Sequence, residues 1–184
     1  MKAKMFNRKA SSIRNKPNKV LESLYISQGQ VVADIGVGGG YFSNRIAEIV
    51  GQKGRVYAVD TNSNLLKYVR EIANNEGLKN LLTILAKNES FRLPEKVDLI
   101  FMRNICHHLK NRKEYFKNLK QMMNPNGKIA IVEYEKKRSF SYHSIFGHYV
   151  PKEILVKEMQ EAGFRLEKTL TFLPDQSFTI YGWN

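Results

Sequence analysis

From Val31 onward, short runs in which nearly every position is apolar alternate with longer stretches whose apolar residues recur every three or four positions. The short runs are Val31–Ile35, Arg55–Asp60, Leu81–Ala86, Val97–Arg103 and Gly127–Glu133. They are rich in β-branched and aliphatic residues, and several lack polar alternation, so they predict strands covered on both faces. Between them, Phe42, Ile46, Ile49 and Val50 form one helical stripe, and Leu65, Leu66, Val69, Ile72 and Ala73 form a second. A third, Phe116, Leu119 and Met123, carries Lys113, Lys117 and Lys120 on another face. Strand–helix–strand alternation implies parallel strands joined by right-handed crossovers, a doubly wound α/β sheet. The rhythm then changes. Pro151 opens a helix predicted over Lys152–Ala162 that Gly163 ends. Arg165–Thr171 and Phe178–Trp183 read as two strands with Pro174-Asp175 in a short connection, which makes them an antiparallel hairpin. Seven strands, mostly parallel, are expected in all.

The chain has 184 residues, a length that suits one core without disulfides or a structural metal. Its single cysteine, Cys106, excludes an internal disulfide and a multi-thiolate metal site, and no metal is expected. No apolar run reaches the ~18 residues of a membrane span, and the first twenty residues lack the apolar stretch of a secretion signal, so a cytoplasmic protein is expected. The charge is uneven. Lys plus Arg number 30 against 17 acids, a formal net charge of +13. Seven of those cations (Lys2, Lys4, Arg8, Lys9, Arg14, Lys16, Lys19) precede the first acid, Glu22. Residues 1–22 therefore read as a basic arm or helix ahead of a domain over 23–184. Such an arm either binds a phosphate backbone or folds against the body of the protein.

The most informative stretch is Asp34-Ile35-Gly36-Val37-Gly38-Gly39-Gly40, between a predicted strand and a predicted helix. Glycines there let the backbone turn sharply and approach a ligand that helix N-terminal amides also face. A dinucleotide fingerprint needs a small residue where this chain has Tyr41, and a P-loop needs Lys-Ser or Lys-Thr, which is missing. The second predicted strand ends at Asp60. An acid about twenty residues past a glycine turn can accept both ribose hydroxyls. The same Asp60, or Thr61 or Asn62, can also cap the next helix.

With these residues stands a third set: Val97-Asp98-Leu99-Ile100-Phe101, followed by Asn104-Ile105-Cys106-His107-His108-Leu109. Together they resemble class I S-adenosylmethionine-dependent methyltransferases, and most of all the small-molecule branch that includes ubiquinone/menaquinone-biosynthesis C-methyltransferases. The resemblance implies a Rossmann-like fold, S-adenosylmethionine as cofactor and S-adenosylhomocysteine as product. It places Gly36, Gly38 and Gly40 under the methionine portion and Asp34 at its amino group. Asp60 takes the ribose hydroxyls, with Asn62 and Leu65 beside the adenine. The family's Asp or Asn after the third strand falls at Lys87 by a gapless count, whereas Asn88 has the fitting chemistry. Arg103 and Asn104 line the pocket near the transferable methyl.

Methyl transfer from a sulfonium is an in-line displacement in which alignment and water exclusion do most, and a base is needed only for a protonated nucleophile. His107 and His108 are the candidate catalytic residues, with only one of the adjacent pair expected to face the pocket. Glu133 and Tyr134, at the end of the fifth strand, and His148 and Tyr149, before the late helix, are expected at the substrate pocket, with His143 a further candidate. The aromatic Ser139–Tyr149 insert suits an apolar, planar acceptor. One cysteine excludes arsenite methylation and disfavours RNA cytosine-C5 methylation, and the absence of a Pro-Pro-aromatic motif after the fourth strand disfavours base-nitrogen methylation. Three readings remain: a small-molecule methyltransferase, an RNA or protein methyltransferase docked through the basic arm, and a cofactor-binding module without catalysis. A homodimer is left open.

Overall fold

The computed structural model describes residues 2–87, 89–135 and 149–183. It contains six helices and seven strands among them: α1 (Lys2–Ala10), α2 (Pro17–Ser23), β1 (Val31–Ile35), α3 (Tyr41–Val50), β2 (Arg55–Asp60), α4 (Ser63–Asn75), β3 (Leu81–Leu85), β4 (Val97–Arg103), α5 (Arg112–Gln121), β5 (Met123–Tyr134), α6 (Lys152–Glu161), β6 (Arg165–Leu170) and β7 (Gln176–Gly182). The sheet order is β3-β2-β1-β4-β5-β7-β6. Strands β1 to β5 run parallel, and β7 lies antiparallel between β5 and β6. The doubly wound sheet with its closing hairpin is the predicted one.

The all-apolar strands have the expected cause. Successive side chains of one strand point to opposite faces, and both faces here are covered. Val32, Val56, Phe101 and Ala130 enter one core, and their neighbours Ala33, Tyr57, Ile100 and Ile129 enter the other. Tyr57, Phe101 and Phe178 are fully buried, each contributing ~2–3 kcal/mol from apolar burial alone.

Strand limits differ from the prediction where turn chemistry sits inside the ladder. β5 begins at Met123, not Gly127: Met123 pairs with Val97, the register then shifts, and pairing resumes at Lys128 with Leu99. Pro125 and the left-handed Asn126 (φ 65°) occupy the irregularity, and a strand passes through a bulge without ending. β7 starts two residues before the predicted Phe178, because Gln176 and Ser177 complete the pairing with Tyr134 and Glu133.

The basic arm folds against the body. Ala3, Phe6 and Ala10 form the inner stripe of α1. Lys9 lies over the Tyr134 ring at 5.1 Å, Lys19 over Phe172 at 4.8 Å, and Arg14 pairs with Asp175 at 2.6 Å. No helix among the described residues is long and apolar enough to cross a membrane.

Candidate functional site

A cavity of about 1190 Å³ lies at the C-terminal ends of β1, β2, β4 and β5, with α1 across it. It straddles the β1–β4 boundary, where successive connections leave in opposite directions, the switch point at which such sheets bind ligands.

The glycine turn forms its floor. Gly36 has φ 79°, and a Cβ there would collide with Ile105 from the segment after β4. Gly39 carries no Cβ for a different reason: α1 rests on it, with the Asn7 side chain and the Ala3 carbonyl in the space. Gly40, in a left-handed conformation, precedes α3 and brings no capping side chain. Asn7 supplies the acceptor instead, taking the Tyr41 amide at 3.2 Å. A residue of α1 thus caps α3 in trans.

Asp34 is buried beneath this turn and accepts from the Ser43 hydroxyl at 2.5 Å. Burial pushes its carboxyl from the ordinary 3.8 up to about 6, against the pull of Ser43 and with nearby Asp60 adding repulsion. Asp60 spans two elements. One oxygen accepts from the Gly38 amide at 3.3 Å and the other from the Asn62 amide at 2.9 Å. A carboxylate has about four lone-pair sites, so capacity for hydroxyl donors remains. Asn62 caps α4, its side chain accepting from the amides of Asn64 and Leu65.

Arg103 stacks its guanidinium over Phe42 at 5.0 Å, and its buried Nε finds no hydrogen-bond partner among the described residues. Desolvation lowers its pKa from the usual value. Its terminal nitrogen donates to Gln176 at 3.4 Å, and Gln176 donates in turn to Asn104 at 2.5 Å, bracing that residue at φ 55°.

The opposite wall is a short 3₁₀ turn, Cys106–His108. Both histidines line the cavity, with ring centroids 4.1 Å apart. The expectation that only one faces the pocket is corrected, because the two rings pack obliquely against one another at the cavity wall. Behind them, Glu133 has no exposure. It accepts from the Cys106 amide at 2.8 Å and the Tyr134 amide at 2.9 Å, and His107 Nδ1 stands 2.9 Å from its Oε1. Glu133 is therefore a support for the cavity wall and does not line it, contrary to expectation. Burial pushes the Cys106 thiol well up, leaving it a core side chain.

Of the sequence candidates, Asp34, Gly36, Gly38, Asp60, Asn62, Leu65, Arg103, Asn104, His107, His108 and Tyr134 meet at this cavity. Gly40 packs against Val69 beneath the turn. Lys87 bridges to Ser90, and the wall there is Ala86 and Glu89. Tyr149 lies away from the cavity lining. Asn88, His143 and His148 lie outside the described residues. Sequence reasoning missed Phe6, Asn7 and Lys9 of α1, together with Ser43 and Gln176. The helical spacing of Ala3, Phe6 and Ala10 was the available signal for α1. Among the described residues no cluster of His, Cys, Asp and Glu could hold a metal.

The donor set suits a nucleoside bearing a cationic amino-acid group. A buried, poorly compensated carboxylate awaits a cation, an accessible one awaits hydroxyls, and a glycine floor admits close backbone approach.

Comparison with known proteins agrees. A family model described as a methyltransferase domain matches residues 26–163. The ubiquinone/menaquinone biosynthesis C-methyltransferase of Erwinia tasmaniensis is 24% identical over 159 residues, covering 82% of this chain and 63% of that protein. The protein of the same name from Photorhabdus laumondii is 27% identical over 162 residues, with the same coverage. The chain thus spans about 63% of the length of these curated relatives. A crystal structure of a SAM-dependent methyltransferase from Aquifex aeolicus superposes with a TM-score of 0.87 at 23% identity, covering 99% of this chain and 97% of that one.

Proposed function

Since the chain belongs to the methyltransferase-domain family, we propose that it transfers the methyl group of S-adenosylmethionine to a small-molecule acceptor. The carrying observation is the packing of α1 on the glycine turn, which makes α1 one wall of the acceptor's space and gives the arm a role within the fold. Four of the arm's seven cations are engaged within the chain: Lys2 over Phe6, Lys9 over Tyr134, Lys19 over Phe172 and Arg14 on Asp175. This weakens the reading of the arm as an RNA or protein docking element. The curated relatives are named for methylation in quinone biosynthesis, and an apolar ring-bearing acceptor fits walls that include Phe6, Phe42, Tyr115 and Tyr134.

When bound, the cofactor supplies an electrophilic methyl on a sulfonium. Asp34 is suited to hold its ammonium, a role in which the arriving cation offsets the cost of the buried charge. Asp60 is suited to the ribose hydroxyls, Asn62 and Leu65 to the adenine side, and the glycine turn to the amino-acid backbone. Arg103 and Asn104 face the region between cofactor and acceptor. The aromatic walls are suited to limit water at the reacting atoms.

Calorimetric titration with S-adenosylhomocysteine tests the cofactor assignment. Micromolar binding by the wild type, weakened ~30-fold or more in Asp60→Ala, is expected from losing charge-assisted bonds to two hydroxyls. Labelled-methyl transfer should then enter the small-molecule fraction of an extract. A folded wild type that binds no S-adenosylhomocysteine would falsify the proposal, and label appearing only in protein or RNA would refute the small-acceptor reading.

A further inference from the structure

Arg103 ends β4 and lines the cavity, and its guanidinium is short of partners. A terminal nitrogen reaches Gln176 at 3.4 Å, the length of a weak bond, and the buried Nε meets no acceptor among the described residues. The Phe42 ring lies against it at 5.0 Å. The groups acting on its charge are Tyr134, Asp34 and Tyr41, of which Asp34 is the carboxylate. The rest of the chain holds no further acid in reserve, because residues 1, 88, 136–148 and 184 include no Asp or Glu. Once Asp34 is engaged by the cofactor's ammonium, Arg103 is a partly buried cation without a counter-ion, and the sulfonium adds positive charge to the same cavity. Such a charge is costly unless an anion joins it.

A second cation comes from α1. Lys9 lies over the Tyr134 ring at 5.1 Å and lines the cavity as well. A ring face attracts an ammonium without cancelling its charge. Tyr134 therefore ties the two together, with Lys9 on its ring and Arg103 within its electrostatic reach. Each of the three acids in the lining already has another assignment. Asp34 holds Ser43 beneath the glycine turn, Asp60 takes the Gly38 and Asn62 amides, and Glu89 takes the Lys110 amide. The part of the cavity around Arg103, Lys9 and Tyr134 is thus cationic and aromatic together.

We propose that the methyl acceptor is an aromatic carboxylate, whose carboxylate Arg103 receives on its open N–H groups and Lys9 attracts from α1. This rests on the methyl-transfer reading above and narrows it to anionic acceptors. A guanidinium presents its N–H groups in a planar fork that matches a carboxylate, and the charge-assisted bonds so formed are the strong ones. The apolar ring of such an acceptor suits the aromatic walls. The cofactor's own carboxylate is the competing partner for Arg103, and the experiment separates the two.

The full chain, saturated with S-adenosylhomocysteine, is titrated by calorimetry with 2-naphthoate and with its neutral counterpart 2-naphthamide. The wild type should bind the carboxylate ~10-fold or more tighter than the amide. Arg103→Gln should bring the two within ~2-fold of one another. Lys9→Gln, at an exposed position, should reduce the preference by ~3-fold. The loss of affinity in Arg103→Gln should be several times larger for 2-naphthoate than for S-adenosylhomocysteine.

Equal affinity for the two probes in the wild type, or binding of neither, overturns the proposal. So does a carboxylate preference that survives Arg103→Gln. If Arg103→Gln weakens S-adenosylhomocysteine as much as 2-naphthoate and leaves 5′-methylthioadenosine, which has no carboxylate, unaffected, Arg103 serves the cofactor and the proposal is overturned. If Arg103→Gln fails to fold, the wild-type preference and its reduction in Lys9→Gln decide the matter. Absence of S-adenosylhomocysteine binding strikes the underlying reading, while the two probes titrated into the free protein still decide the carboxylate preference.

Discussion

Asp34 and Glu133 are both buried carboxylates near the cavity-facing ends of adjacent parts of one sheet, and their surroundings differ sharply. Glu133 accepts from two backbone amides that can do nothing else and has His107 Nδ1 at 2.9 Å. Asp34 has only Ser43, through its hydroxyl and more weakly its amide, with Arg103 in electrostatic range and Asp60 opposing. One is a completed support. The other is an acid whose charge the fold does not balance, as expected where a cationic ligand is to complete the set. Burial alone therefore does not tell a satisfied carboxylate from one left short of partners. The surrounding donors and charges do.

The largest expected effect breaks this comparison from the Glu133 side. Glu133→Ala leaves two buried amides and His107 Nδ1 without their acceptor and should cost ~3–5 kcal/mol, read by denaturant unfolding. A cost near zero would show that the donors find other partners and that Glu133 supports nothing. Asp34→Asn should go the other way. It keeps an acceptor for Ser43 and removes a poorly compensated charge, so stability above pH 6 should rise by up to ~3 kcal/mol while S-adenosylhomocysteine binding weakens ~10-fold.

The pH dependence gives the sign independently. Because the folded Asp34 carboxyl lies at about 6 against an ordinary 3.8, the native state holds the proton more tightly than the unfolded chain. Its contribution to stability is greatest at acid pH, declines as pH rises across that interval, and is level above it. Unfolding titrations should show this slope in the wild type and lose it in Asp34→Asn. The smallest effect concerns the cap. Asn7→Ala removes the acceptor for the Tyr41 amide and should cost ~1 kcal/mol, seen as faster proteolysis within α1 with the remaining core still protected.

The parts of this molecule legible in the sequence were those encoded by neighbours in the chain. Asp34 to Gly40 announce a tight strand-to-helix turn because the turn's backbone needs are local, and the strands announce themselves because both faces of each must be apolar. What escaped was set by residues far apart in sequence. His107 meets Glu133 across 26 positions, and Asn7 meets Tyr41 across 34. Nothing at either position announces its partner. The start of β5 was missed for the opposite reason: Asn124-Pro125-Asn126-Gly127 carries strong turn signals, yet pairing resumes beyond the bulge. A nine-residue helix such as α1 is marginal in isolation, so its cationic composition spoke louder than its short apolar stripe.

The trans cap has one more consequence. The Tyr41 amide stands at the first position of α3, where no carbonyl of its own helix can reach it, and its acceptor belongs to α1. Hydrogen–deuterium exchange at that single amide therefore reports how often α1 lifts. Its protection factor measures the balance between open and covered forms, and the change in that factor when S-adenosylhomocysteine is added measures how far the cofactor and the helix favour one another.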